Sequence, residues 1–168
     1  MNAALAAALR VEYEIVYGYG IVGSRLRGRD RTIAADRLAA HQLLRDSLLA
    51  LTFSDADRPA GEPAYRLPFP VTGSMSARML AIRLEDAAAG AAWDLVAAER
   101  PASPARVLAV NALVDAATAA ARWRVRAGAS DDPALPGAPP ASAQVFSHPS
   151  MIPTTSPSPS TTASGSTS

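Results

Sequence analysis

One long connection constrains this chain more than any other feature. Residues 54–73 lack helical periodicity and carry Pro59, Pro63, Pro68 and Pro70. Proline fixes φ and removes a backbone donor, so a helix cannot run through such a stretch. On either side lie two apolar-periodic segments, each of roughly 24 residues and therefore ~36 Å long as helix. The first is expected over Ala3 to Arg27, stopped by Gly28. The second runs from Arg31 to Phe53, with Asp30 as its N-cap. The third spans Ser74 to Glu99 and ends at Pro101. The fourth opens on Ser103-Pro104, a capping serine followed by proline at the first helical position, and ends near Arg126 before Gly128.

The outer links, at Gly28 to Asp30 and at Arg100 to Ser103, are short and demand antiparallel hairpins. The middle link, at ~3.3 Å per residue, reaches past a whole helix, which lets helices two and three run parallel. The expected fold is all-α: a four-helix bundle of two antiparallel hairpins joined by a long crossover. Tyr65-Arg66-Leu67-Pro68-Phe69-Pro70-Val71 is apolar enough for part of the crossover to pack on the bundle.

The bundle takes up residues 1–127 of the 168. Residues 128–168 hold eight of the 14 prolines and end in a Ser/Thr/Pro run, the composition of a disordered tail. Much of the hydrophobic fraction of 49% is alanine, ample for helices and for one core. A net charge of +1 argues against nucleic acid and against an anionic membrane as partner. There is no cysteine, hence no disulfide and no thiolate chemistry. The N-terminus lacks the features of a signal peptide and no run spans a membrane, so a cytoplasmic location is expected.

Gly18-Tyr19-Gly20-Ile21-Val22-Gly23 matches the dinucleotide-binding fingerprint by letter. Its context fails: only Ser24 to Arg27 separate it from Gly28, and no strand–helix alternation follows. The glycines are read instead as room for a neighbouring helix or for the crossover.

Helical placement at 100° per residue sorts the polar groups. Glu12 falls in the middle of the first helix's apolar arc (Leu5, Leu9, Ile15, Val16, Tyr19, Val22, Leu26), with Glu14, Arg10 and Arg25 opposite. His41 lies within the apolar arc of the second helix and Glu85 between two apolar groups of the third. On the fourth, Asn111, Asp115, Thr118 and Arg122 form a polar stripe beside Val107, Val110 and Val114. A carboxylate on an apolar stripe must be neutralised, paired or metal-bound. Two readings stay open: Glu12 pairs with His41 or with an inward arginine, Arg37 or Arg45, or else Glu12, His41, Glu85 and Asp115 together hold a metal ion.

Ala7-Ala8-Leu9-Arg10-Val11-Glu12-Tyr13-Glu14 with Tyr17-Gly18-Tyr19-Gly20-Ile21-Val22-Gly23 resembles the first helix of an actinobacterial ferritin-like domain of unknown function. Ala40 to Asp46, Ala64 to Val71, Leu84-Glu85-Asp86-Ala87 and Ala121-Arg122-Trp123-Arg124 carry the resemblance through residues 3–127. Ferritin-like relatives hold two metals with a glutamate on helices one and three and Glu-x-x-His on helices two and four. The resemblance places Glu12, His41, Glu85 and Asp115 at four of those six positions. Leu38 stands where a glutamate belongs, and Asp115-Ala116-Ala117-Thr118 lacks the histidine. The expected function is that of a non-catalytic helical module that binds a protein partner or forms a homodimer. The alternatives are a protein binding iron, manganese or zinc through those four residues, and a small-molecule pocket lined by Tyr13, Tyr17 or Tyr19.

Overall fold

Each helix begins and ends where local chemistry dictates. The computed structural model describes residues 2–52 and 58–129 and contains α1 (Ala3–Arg25), α2 (Gly28–Ala50), α3 (Ser74–Ala98) and α4 (Pro104–Ala127), with no strand among the described residues. Asn2 caps α1 by accepting a hydrogen bond from the Ala4 amide at 2.9 Å. Ser103 caps α4 by accepting from the Arg106 amide at 3.1 Å. Gly128, at φ 65°, takes the left-handed conformation that closes α4. The expected disordered tail lies, beyond Ala129, outside the described residues.

Ion pairs between helices fix their directions. Asp30 near the start of α2 bonds Arg78 near the start of α3, and Arg37 one stage further along bonds Glu85, so α2 and α3 are parallel. Asp30 also bonds Arg126 at the end of α4, while Arg37 bonds Asp115 earlier in α4, so α2 and α4 are antiparallel. Asn2 reaches Glu99 and Tyr19 reaches Glu85, which makes α1 antiparallel to α3. The long middle connection therefore does cross the molecule from the end of α2 to the start of α3. Packing is closest between α3 and α4, then between α1 and its neighbours α3 and α2; α2 and α4 approach each other little.

Small residues explain the tight α3–α4 pairing. The buried face of α4 is Ala105, Ala109, Ala116, Ala119, Ala120, Trp123 and Arg124, and α3 offers Ala81, Ala88, Ala89, Gly90, Ala91 and Ala92. The valines of α4 lie outside this contact. Val107, Val110 and Val114 are exposed, because the alanines alone permit the close approach and take the core.

Three expectations are revised. α2 starts at Gly28, whose φ of 54° turns the chain within two residues of α1. Asp30 is therefore inside the helix, where it makes ion pairs instead of a cap. Glu14 is fully buried rather than outward-facing. The crossover covers that side of α1: Ala60, Glu62 and Tyr65 share a small cavity with Arg10 and Glu14. Tyr65 packs edge-on to Tyr17, with ring centroids 5.4 Å apart. Close backbone approach occurs at Gly61, where an added Cβ would stand 3.0 Å from the Tyr13 ring, and not at Gly20 or Gly23, which face open space. Residues 18–23 are all helical, as the rejection of a dinucleotide site required.

Asp30 ties three helix ends together with a side chain only 12% exposed. Asp30→Ser keeps the ability to cap but loses both ion pairs, so it should destabilise about as much as Asp30→Ala. The expected cost is about 1–3 kcal/mol in urea unfolding, the penalty for stranding half-buried arginines. Full retention of stability in Asp30→Ser would return the residue to a capping role.

Candidate functional site

The polar residues singled out on the first three helices, Glu12, His41 and Glu85, converge on one buried cluster, and Asp115 of the fourth meets its edge. Glu12 and Glu85 are 3% and 0% exposed, and His41 is 2% exposed. His41 Nδ1 lies 2.8 Å from Glu12 Oε2, and Nε2 lies 3.4 Å from Glu85. Arg37, one turn before His41 on α2, forks onto Glu85: Nε donates to Oε1 at 2.8 Å and Nη2 to Oε2 at 2.9 Å. Its remaining arm donates from Nη1 to Asp115 Oδ2 at 2.6 Å. Tyr19 donates its hydroxyl to Glu85 and accepts from the Trp123 indole N–H at 3.0 Å. The Tyr19 ring stacks on His41, centroids 5.6 Å apart. Glu85 thus receives donors from α1 and α2, with α4 reached through Trp123 and through Arg37.

Charge balance sets the protonation states. Two carboxylates without solvent access require two cations. Arg37 supplies one and His41 the other. Burial alone would lower the His41 pKa, but the Glu12 carboxylate, and then Glu85, outweigh it and hold the imidazole at about 9. Burial also works against ionised Glu85, yet His41 and Arg37 together hold it below the ordinary carboxylate value. Tyr19 is pushed well above its usual value, by burial first and then by Glu85, and stays a neutral donor. With His41 doubly protonated, the 3.2 Å approach of Arg37 Nη2 to Nε2 brings two donors together, and both are held by the Glu85 carboxylate.

These residues do not fit a metal centre of the ferritin-like kind. Both His41 nitrogens face carboxylates, leaving no lone pair for a metal. Both Glu85 oxygens are occupied by the Arg37 fork. Asp115 is 62% exposed and joins the cluster only through Arg37. Among the described residues, no three His, Asp or Glu side chains are disposed around a common point that could hold a metal ion. Sequence placement found Glu12, His41 and Glu85. It missed Arg37 as the hub, although its spacing of four from His41 on α2 puts both on one side of that helix. Tyr13 and Tyr17 face the crossover, so of the three tyrosines only Tyr19 joins the cluster.

The family model described as Domain of unknown function (DUF4439) matches residues 4–140. The chain belongs to that family. It is similar to a solved structure, that of the conserved hypothetical protein rv2844 from Mycobacterium tuberculosis, at 34% identity and a TM-score of 0.71. That likeness covers 79% of this chain and 94% of the other. No curated protein matches the chain. Among the described residues, no helix of this family member is long and apolar enough to cross a membrane.

The raised His41 pKa is a stability statement with a definite sign. The folded value, about 9, exceeds the ordinary 6.5. The contribution is therefore complete below about pH 6.5 and is lost as pH rises through about 9. Its full size is on the order of 3 kcal/mol. Urea unfolding of the wild type should weaken across this window, while His41→Gln should be less stable at pH 6 and much less pH-dependent. Parallel curves for the two proteins would mean that the imidazole is neutral in the fold.

Proposed function

We propose that this chain is a ferritin-like four-helix bundle in which protein cations replace metal at the centre, and that it serves as a non-catalytic binding module. The bundle comprises residues 1–127. The topology supports the ferritin-like reading, with two antiparallel hairpins and parallel second and third helices. The observation that carries the functional reading is the Arg37 guanidinium. It lies between the α3 carboxylate Glu85 and the α4 carboxylate Asp115, so a permanent charge does there what a dissociable cation does in metal-binding relatives.

Two measurements test this. The purified protein should carry iron, manganese and zinc well below one per chain, with thermal stability unchanged by chelation. Stoichiometric metal that disappears in a Glu12→Ala, His41→Ala double variant would overturn the reading in favour of a metalloprotein using Glu12, His41, Glu85 and Asp115. Arg37→Ala should cost about 3–5 kcal/mol, since it leaves buried carboxylate without its partner. Arg37→Lys should recover only part of that, because an ammonium cannot reproduce the fork.

The outer face of α4 supports an interaction role. Val107, Val110 and Val114 are 54%, 42% and 62% exposed and follow the spacing of one helical face, which Val125 continues. Such a stripe suits self-association or a protein partner. Sedimentation should find the wild type as a dimer and Val110→Glu, Val114→Glu as a folded monomer. A monomeric wild type would remove self-association and leave a different protein as the partner.

A further inference from the structure

The seam between α2 and α4 holds a second feature that the buried centre does not use. On one side of the Arg37–Asp115 bridge lies a cleft of about 420 Å³ whose charged rim is Arg29, Arg37, Arg122, Arg126 and Asp115. Ile33, Ala119 and Trp123 complete its lining. We infer that this cleft binds a small organic phosphate, an anion with an apolar or aromatic body. The inference rests on the domain being a binding module, and not on the metal content of its centre.

The charges of the rim divide into used and unused. Arg37 is neutralised by Glu85 and Asp115, and Arg126 by Asp30 at 2.7 Å. Asp115, the sole carboxylate of the lining, is already engaged at 2.6 Å. Arg29 and Arg122 make no ion pair or side-chain hydrogen bond among the described residues. They project from facing helices into the same cleft, with an excess of two positive charges. A phosphate monoester is the common biological group whose charge approaches two at neutral pH, and guanidinium forks match its oxygens. Because α2 and α4 are antiparallel, the positive end of one dipole meets the negative end of the other, so the attraction comes from the arginines.

The rest of the lining accounts for the organic part. Ile33 offers apolar surface that a bare phosphate would not need, with the buried Ala119 and Trp123 forming the wall behind it. The cleft volume falls within the ~300–1,000 Å³ usual for small-ligand sites. Beyond the Arg37–Asp115 bridge the seam continues as an open groove of about 260 Å³ whose lining includes Leu43, Leu44 and Leu108 beside Ser47 and Asn111.

Trp123 places the reporter at the site. In a Trp93→Phe background of the full chain, its fluorescence should change saturably with phenyl phosphate. Inorganic phosphate should bind more weakly, and phenol at the same concentrations should give no saturable change. Arg29→Gln with Arg122→Gln should weaken phenyl phosphate binding by about ten- to a hundredfold, the worth of charge-assisted contacts. Urea stability should be unchanged, because both side chains are exposed and unpaired among the described residues. No saturable change with phenyl phosphate, or equal affinity in the double variant, would overturn the site. Equal affinity for inorganic phosphate would overturn the assignment of an apolar body. None of these outcomes bears on metal content, so failure here and failure of the cation-replaced centre are separately visible.

Discussion

A fully buried carboxylate, Glu85, governs this structure. An ionised group inside an alanine- and leucine-lined bundle costs several kcal/mol unless cations and donors surround it. Meeting that demand takes a hydroxyl from α1, a guanidinium and an imidazole from α2, and, one step removed, the indole and Asp115 of α4. No single neighbouring helix supplies the full complement. The charge on α3 is neutralised by α2, while α1 completes its hydrogen bonding and α4 braces the donors. The His41 cation in turn requires Glu12, which extends the same balance across α1.

Charge pairs at separate heights also fix register. Asp30 joins Arg78 and Arg126 at one end, and Arg106 donates to the Val96 and Glu99 carbonyls of α3 at the other. Alanine faces pack closely but are nearly featureless, so a slide of one turn would change their fit little. The polar contacts distinguish the correct register, since a slide by one turn separates every pair at once. Apolar burial holds the helices together, and the ion pairs select among the alternatives that burial leaves similar in energy.

How much of this was legible in the sequence depended on the reach of each determinant. Proline placement and connection length foretold four helices and a crossing connection, because they act locally. Glu12, His41 and Glu85 were legible as inward groups because helical angle and apolar surroundings agree there. Glu14 was misplaced for the opposite reason. Its angle does face away from the helices, and only the crossover, whose path no periodicity encodes, buries it. The valines of α4 look like a core face by hydropathy. The distance between α3 and α4, set by paired alanines, turns that face outward. Asp30 has the composition of a cap, yet Gly28 can open the helix two residues earlier and free it for ion pairing. The Arg37 hub depends on how far a long side chain must span between α2, α3 and α4, a quantity fixed only by the assembled packing.

α2 brings these strands together. It buries only Ala34, His41 and Leu48, one of them a cation, whereas α1 and α3 each bury an extended apolar face. Its attachment therefore depends on charge to a degree the other helices do not share, through Asp30, Arg37 and His41. A helix held at a few polar points need not be drawn close along its whole length. α2 accordingly stays apart from α4, and the Arg37–Asp115 bridge spans a seam that apolar packing leaves open. The clefts on either side of that bridge are thus a consequence of how the buried carboxylates are neutralised. The same ion pairs thus neutralise the buried centre and shape the open seam between α2 and α4.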